Sequence, residues 1–203
     1  TFLRRNPFVD CVFRGEGELE FSRWLKCWND LTQWKTITGL CYLDKQYQYQ
    51  DNGLARVSAF DQLIAPEESS FFNWSKPFVQ LETTRGCFNT CAFCVSGGEK
   101  PVRTLSIDAI RQRLQLIHSH GIQNVRVLDR TFNFNPRRAK ELLNLFLEFH
   151  PHIRFHLEIH PALLSDELKT ELQRLPKGLL HLEAGIQSLR EPVLEKCRRL
   201  GKL

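Results

Sequence analysis

Three cysteines, Cys87, Cys91 and Cys94, fall within one run, Cys87-Phe88-Asn89-Thr90-Cys91-Ala92-Phe93-Cys94. Thiolate sulfur is a soft ligand that selects zinc, copper or iron–sulfur clusters. An ordinary ferredoxin cluster takes four cysteines, and here Cys41 and Cys197 are distant in sequence. Three thiolates leave one coordination position open, where a substrate or cofactor can bind. Two further readings fit the same residues: a structural zinc site completed by a distant His or Cys, and an electron-transfer centre. The open position argues against the second.

The elements around this run are legible. Phe78 to Glu82 reads as a strand that ends in the cysteine loop. Ser106 caps a helix carrying Ile107, Ile110, Leu114 and Ile117, which Gly121 stops. Asn124 to Asp129 reads as a strand. Asn135 and Pro136 open a helix through Ala139, Leu142, Leu143, Phe146 and Phe149, stopped at Pro151. Ile153 to Ile159 is a strand, Ser165 caps a helix with Leu168, Leu172 and Leu175, and Leu179 to Ile186 is a strand. Pro192 opens a last helix with Leu194, Cys197 and Leu200, ended by Gly201. Four strand–helix units in a row predict an α/β fold with a parallel sheet and outer helices. Chemistry in such folds gathers at the carboxyl ends of the strands. This directs attention to Thr83 to Cys94, Asp129 to Asn133, Glu158 to His160, and Gln187 to Ser188.

Before this region the pattern is less regular. Val9 to Phe13 reads as a strand and Glu18 to Trp28 as a helix, together the last unit of an upstream α/β domain. Ile37 to Leu43 and Leu54 to Val57 flank Asp51-Asn52-Gly53, a hairpin signal because Asn and Gly tolerate positive φ. Phe60 to Lys76 reads as a linker. The expected domains are therefore 1–30, 31–76 and 77–203. The chain opens at Thr1 and has no Met, so a piece of a longer protein is expected.

The Cys-x3-Cys-x2-Cys spacing, with aromatic Phe93 before the last Cys and a strand before the first, resembles the signature of the radical S-adenosylmethionine superfamily. The resemblance covers Pro77 to Leu203. It implies a (β/α) barrel of TIM type, here truncated after about four of the usual six units. It implies that Cys87, Cys91 and Cys94 hold a 4Fe–4S cluster whose open iron is chelated by S-adenosylmethionine. One electron then cleaves the sulfonium to methionine and a 5′-deoxyadenosyl radical, which abstracts hydrogen from a substrate.

By the same analogy the backbone at Phe93 meets the adenine. Asp129 accepts from the methionine amino group, a role set against capping of the nearby turn. The family's Gly-Gly-Glu stretch at the second strand is lacking, and Gly97-Gly98-Glu99 comes too early for it. Glu158, an acid between apolar neighbours, binds cofactor or pairs with an Arg. Gln187 and Ser188, in Gly185-Ile186-Gln187-Ser188, resemble the ribose contact, with Glu183 a weaker candidate.

Val9 to Glu18 resembles the end of the cobalamin-binding domain that precedes many such enzymes. The Asp-x-His-x-x-Gly cobalamin motif is absent from these 203 residues, so cobalamin is a hypothesis about the parent protein. The resemblance further implies a small-molecule substrate and an electron donor such as flavodoxin or ferredoxin.

His152, His156 and His160 come from one strand region, and strand-spaced histidines without other ligands are more often satisfied or solvent-facing than metal-binding. Arg137-Arg138 and Arg198-Arg199 read as solvated helix faces. The net charge of +5 is spread along the chain, not gathered into the stripe that nucleic acid needs. No run of 18 apolar residues predicts a membrane span, and no segment reads as a signal peptide. Seven cysteines without a secretory signal fit reduced thiols in the cytoplasm.

Overall fold

The computed structural model describes residues 2–96 and 99–199. Two compact units divide between residues 63 and 64, rather than near 30 and 76.

The first unit contains α1 (Phe2–Arg5), β1 (Cys11–Phe13), α2 (Glu18–Leu25), α3 (Leu31–Trp34), β2 (Leu40–Leu43) and β3 (Tyr49–Asp51). β1 pairs antiparallel with β2, and β2 with β3. The strand expected to end an upstream α/β domain thus joins the hairpin in one antiparallel sheet. Cys27, Trp34, Ile37, Leu40 and Tyr42 form its core, with Trp24 and Phe13 packed against them.

The hairpin turn lies earlier than Asn52-Gly53. The Asp44 carboxylate accepts from the backbone N–H of Gln46 and Gln48, each at 2.9 Å, and Tyr47 takes φ 58°. This Asx-type closure supplies the turn. Asn52 instead donates to the carbonyls of Trp34 and Ile37. The expected strand Leu54 to Val57 reduces to an isolated bridge between Gly15 and Ala55.

The second unit begins with the expected linker. Part of it is packed, because a 3₁₀ turn at Pro66–Glu68 buries Glu67. Then follow β4 (Val79–Leu81), β5 (Thr84–Arg85), β6 (Arg103–Thr104), α4 (Ile107–Ser119), β7 (Asn124–Val127), α5 (Pro136–Leu147), β8 (Arg154–Ile159), α6 (Asp166–Arg174), β9 (Leu180–Ala184) and α7 (Glu191–Lys196). Among the described residues β4, β7, β8 and β9 form a parallel sheet in that order. With a helix after each strand, this is a partial (β/α) barrel. The expected helix starts hold: Ser106, Asn135 and Ser165 each accept a hydrogen bond from a first-turn N–H. Leu200 and Gly201, expected to end α7, lie outside the described residues.

Strand alternation sorts the two faces. Val79, Leu81, Val125, Val127, Phe155 and Leu157 are buried. They share a face with the helices, as the stacked Phe146 and Phe155 rings show at 4.0 Å between centroids. The opposite face is polar. The register sets Gln80 beside Arg126, Arg126 beside His156, and His156 beside His181, with Glu158 beside Glu183 one step on.

Candidate active site

β5 and β6 clasp the base of the cysteine loop, pairing Thr84 with Thr104 and Arg85 with Arg103. Above the clasp Gly86 takes φ 102°, and a Cβ there would lie 2.4 Å from the Glu99 carbonyl oxygen. Only a glycine lets the two arms of the loop approach this closely. The backbone N–H of Cys87 then donates to the Glu99 carbonyl at 2.9 Å.

Cys87 and Cys91 are buried and Cys94 is exposed. Burial pushes the Cys87 thiol up, while a hydrogen bond from the Asn89 backbone opposes the shift. Asn89 is itself buried, and among the described residues its Oδ1 finds no hydrogen-bond partner. Among the described residues no three His, Cys, Asp or Glu side chains converge to hold a single ion. A cluster has a different requirement, since it spreads its thiolates over separate irons. Three thiols on one short, clasped loop fit that donor set. Phe93 is half exposed. Gly97 and Gly98 lie outside the described residues.

The loop is also tied to the far end of the unit. The Ala92 N–H donates to the carbonyl of Cys197, just past α7, at 2.9 Å. α7 follows the Gly185-Ile186-Gln187-Ser188 segment, so the cysteine loop and the carboxyl end of β9 belong to one edge of the sheet. There Gln187 is exposed with φ 66°. Ser188 is half-buried, and its Oγ accepts from the Arg190 N–H at 3.0 Å.

Asp129 lies just past β7. It is 1% exposed. One carboxylate oxygen accepts from the backbone N–H of Thr83 and of Thr84, each at 2.8 Å, and the other accepts from the Thr83 hydroxyl. Burial pushes its carboxyl up, against the pull of these bonds. The carboxylate therefore fixes the bend from β4 into the cysteine loop. The residues whose N–H groups it caps lie 45 and 46 positions away and carry no local signal.

Glu158 is exposed on the polar face. Glu183 meets His156, at 3.1 Å. The expected arginine partner for a buried acid belongs elsewhere: Arg113 pairs with Glu67 through two bonds of 2.8 and 3.0 Å. Arg138, expected on a solvated face, reaches inward to the carbonyls of Thr83 and Leu105 at 3.2 and 2.6 Å. Arg199 likewise donates to the Gly185 carbonyl. His160 is 3% exposed, and among the described residues neither ring nitrogen has a hydrogen-bond partner.

The model of the radical SAM superfamily matches residues 81–202. The chain belongs to this enzyme superfamily. It is 28% identical over 148 residues to an uncharacterized methyltransferase, PH0819, of Pyrococcus horikoshii, covering 69% of this chain and 32% of that protein. It is 24% identical over 181 residues to the cytidylyl-2-hydroxyethylphosphonate methyltransferase of Streptomyces wedmorensis, covering 70% of this chain and 34% of that one. The chain thus spans about a third of the length of these relatives.

Among solved structures, the cobalamin-dependent S-adenosylmethionine radical enzyme OxsB superposes with a TM-score of 0.76 at 18% identity, over 99% of this chain and 31% of that one. The radical S-adenosylmethionine methyltransferase TsrM from Kitasatospora setae gives 0.73 at 15% identity, over 98% and 42%. At such identities the likeness is one of fold, and it matches the partial barrel. Among the described residues no helix is long and apolar enough to cross a membrane.

Proposed function

We propose that this chain is the cluster- and cofactor-binding part of a radical S-adenosylmethionine enzyme whose parent protein carries out cobalamin-dependent methyl transfer. The observation that carries the reading is the clasped loop at the carboxyl end of β4, which presents Cys87, Cys91 and Cys94 beside the strand ends. When bound, a 4Fe–4S cluster supplies the electron that cleaves S-adenosylmethionine reductively, giving a 5′-deoxyadenosyl radical, and cobalamin in the parent supplies a methyl carrier.

The chain's own residues do the holding. The three thiolates bind the cluster, and the clasp and the Asp129 carboxylate set the loop's exit angle. The Phe93 backbone, Gln187 and Ser188 contact the nucleoside, and exposed Glu158 lies one pleat back. Relatives named as methyltransferases, and the cobalamin-dependent OxsB, support methyl transfer over hydrogen abstraction alone. A small-molecule substrate, a flavodoxin or ferredoxin as electron donor, and the reducing cytoplasm complete the reading.

The test is anaerobic reconstitution with iron and sulfide. The expected product is brown and holds about four irons per chain. Ala at Cys87, Cys91 or Cys94 removes the iron, whereas Ala at Cys11, Cys27, Cys41 or Cys197 leaves it. A colourless protein with one tightly bound zinc replaces this reading with a zinc-stabilised, non-catalytic module.

A further inference from the structure

His160 ends β8 at the carboxyl edge of the sheet. Its backbone is held on both sides by one buried side chain: Asn133 Oδ1 accepts from the His160 N–H at 2.8 Å, and Asn133 Nδ2 donates to the His160 carbonyl at 3.0 Å. The backbone is thereby fixed in place, yet among the described residues neither ring nitrogen has a partner, in a residue only 3% exposed. Buried polar atoms are almost always satisfied, and an unsatisfied one signals a missing partner. The described residues supply none, so the geometry asks for a ligand.

The neighbourhood defines what kind. Ile159 pairs with Ala184, so the next residues along the two strands, His160 and Gly185, lie side by side. Arg199 donates through Nη2 to the Gly185 carbonyl at 2.5 Å, which brings a guanidinium to the same edge. Burial and this guanidinium both push the imidazole below its ordinary pKa. The shift favours the neutral ring, which carries one N–H to donate. The nearest acids on the same face, Glu158 and Glu183, lie one pleat back, and Glu183 already meets His156. A cation and a neutral N–H donor at one edge of the sheet favour an anionic oxygen.

We propose that His160 and Arg199 form an oxyanion subsite, for a carboxylate or phospho group, at the carboxyl edge of β8 and β9. Its place in catalysis rests on the radical-enzyme reading above, but its test does not need the cluster. The oxyanion has two possible sources, the carboxylate of the sulfonium cofactor and an acidic group of the substrate.

The experiment titrates the ¹⁵N-labelled chain, without cluster, with inorganic phosphate, acetate and S-adenosylhomocysteine. Histidine ring signals are followed by NMR and assigned with His160→Gln. The expected result is a shift of the His160 ring signals with at least one of the three. Apparent affinity should fall about ten- to hundred-fold in Arg199→Gln, as expected for losing a hydrogen bond to a charged group. His160→Gln, which keeps a donor, should retain more affinity than His160→Leu, and melting curves show that both variants fold. If S-adenosylhomocysteine blocks phosphate, the anion is the cofactor's. If phosphate still binds beside it, the anion is the substrate's. No response of the His160 ring to any probe, or an unchanged response in Arg199→Gln, overturns the subsite. Iron content after separate reconstitution tells that failure from a failure of the radical reading.

Discussion

The carboxylate of Asp129 holds the backbone N–H groups of Thr83 and Thr84 on a single oxygen, at 2.8 Å each. One side chain from the end of β7 thus sets the path of the chain as it leaves β4 for the cysteine loop. Asp129→Ala strands two buried N–H groups, and each costs about 1–3 kcal/mol. Asp129→Asn keeps an oxygen in place and should cost about 1 kcal/mol or less. Its pH dependence follows from the direction of the shift. Burial raises the carboxyl above its ordinary 3.8, so the folded state holds this proton more tightly than the unfolded one. The stability this adds is complete below pH 3.8 and is lost as pH rises through the raised folded value. Urea melts at several pH values check both points, and Asp129→Asn should lack this part of the slope.

Glu67 and Arg113 pose a similar question in the stretch before β4. Their side chains are 0% and 13% exposed, and the pair is bidentate. Breaking a buried pair leaves an uncompensated charge, at a cost of about 3–5 kcal/mol. Glu67→Ala should therefore be strongly destabilising in denaturant titrations. The double variant Glu67→Leu with Arg113→Met should recover much of the loss. If the single variant costs nothing, the pair is not formed in solution.

Gly86 ties conformation to metal retention. At φ 102° a Cβ would meet the Glu99 carbonyl at 2.4 Å, and that carbonyl is the acceptor for the Cys87 N–H. Gly86→Ala should displace the first cysteine while leaving the parallel sheet intact. The expected signature is unchanged far-ultraviolet circular dichroism with markedly reduced iron after reconstitution. Normal iron would mean that the loop tolerates a wider path.

What could be read from the sequence was local. Ser106, Asn135 and Ser165 each cap the helix they precede, because a side-chain oxygen two or three residues from an N–H needs no tertiary partner. The cysteine spacing was legible for the same reason. The bend made by Asp129, the ion pair of Glu67 and the inward turn of Arg138 all join residues at least 33 positions apart. Nothing in the neighbouring residues announces them. Asn52-Gly53 carries the stronger turn signal, yet the hairpin closes at Asp44, through its side chain. His160 stood out only as one of several histidines, and its meaning depends on burial and on the absence of ring partners.

Gln187 offers the sharpest separation of cofactor binding from cluster binding. It is a non-glycine residue at φ 66°, a left-handed conformation that costs an L-residue roughly 1 kcal/mol and persists where surrounding structure or function requires it. Its neighbour Gly185 leaves the space its amide occupies, since a Cβ there would lie 2.9 Å from Gln187 Nε2. The side chain is exposed at the carboxyl edge, so it stabilises little of the fold itself. Gln187→Gly should therefore raise stability by about 0.5–1 kcal/mol, by removing the strained φ. The same change deletes the amide proposed to meet S-adenosylmethionine, and affinity for it should fall about ten-fold. Iron content should not move, because no cluster ligand is touched. Ser188→Ala gives a milder comparison, since its Oγ already accepts from the Arg190 N–H. Calorimetric binding of S-adenosylmethionine to reconstituted protein, with iron analysis on the same samples, decides the matter. Wild-type affinity in Gln187→Gly would remove Gln187 from the cofactor site while leaving the three-cysteine assignment standing.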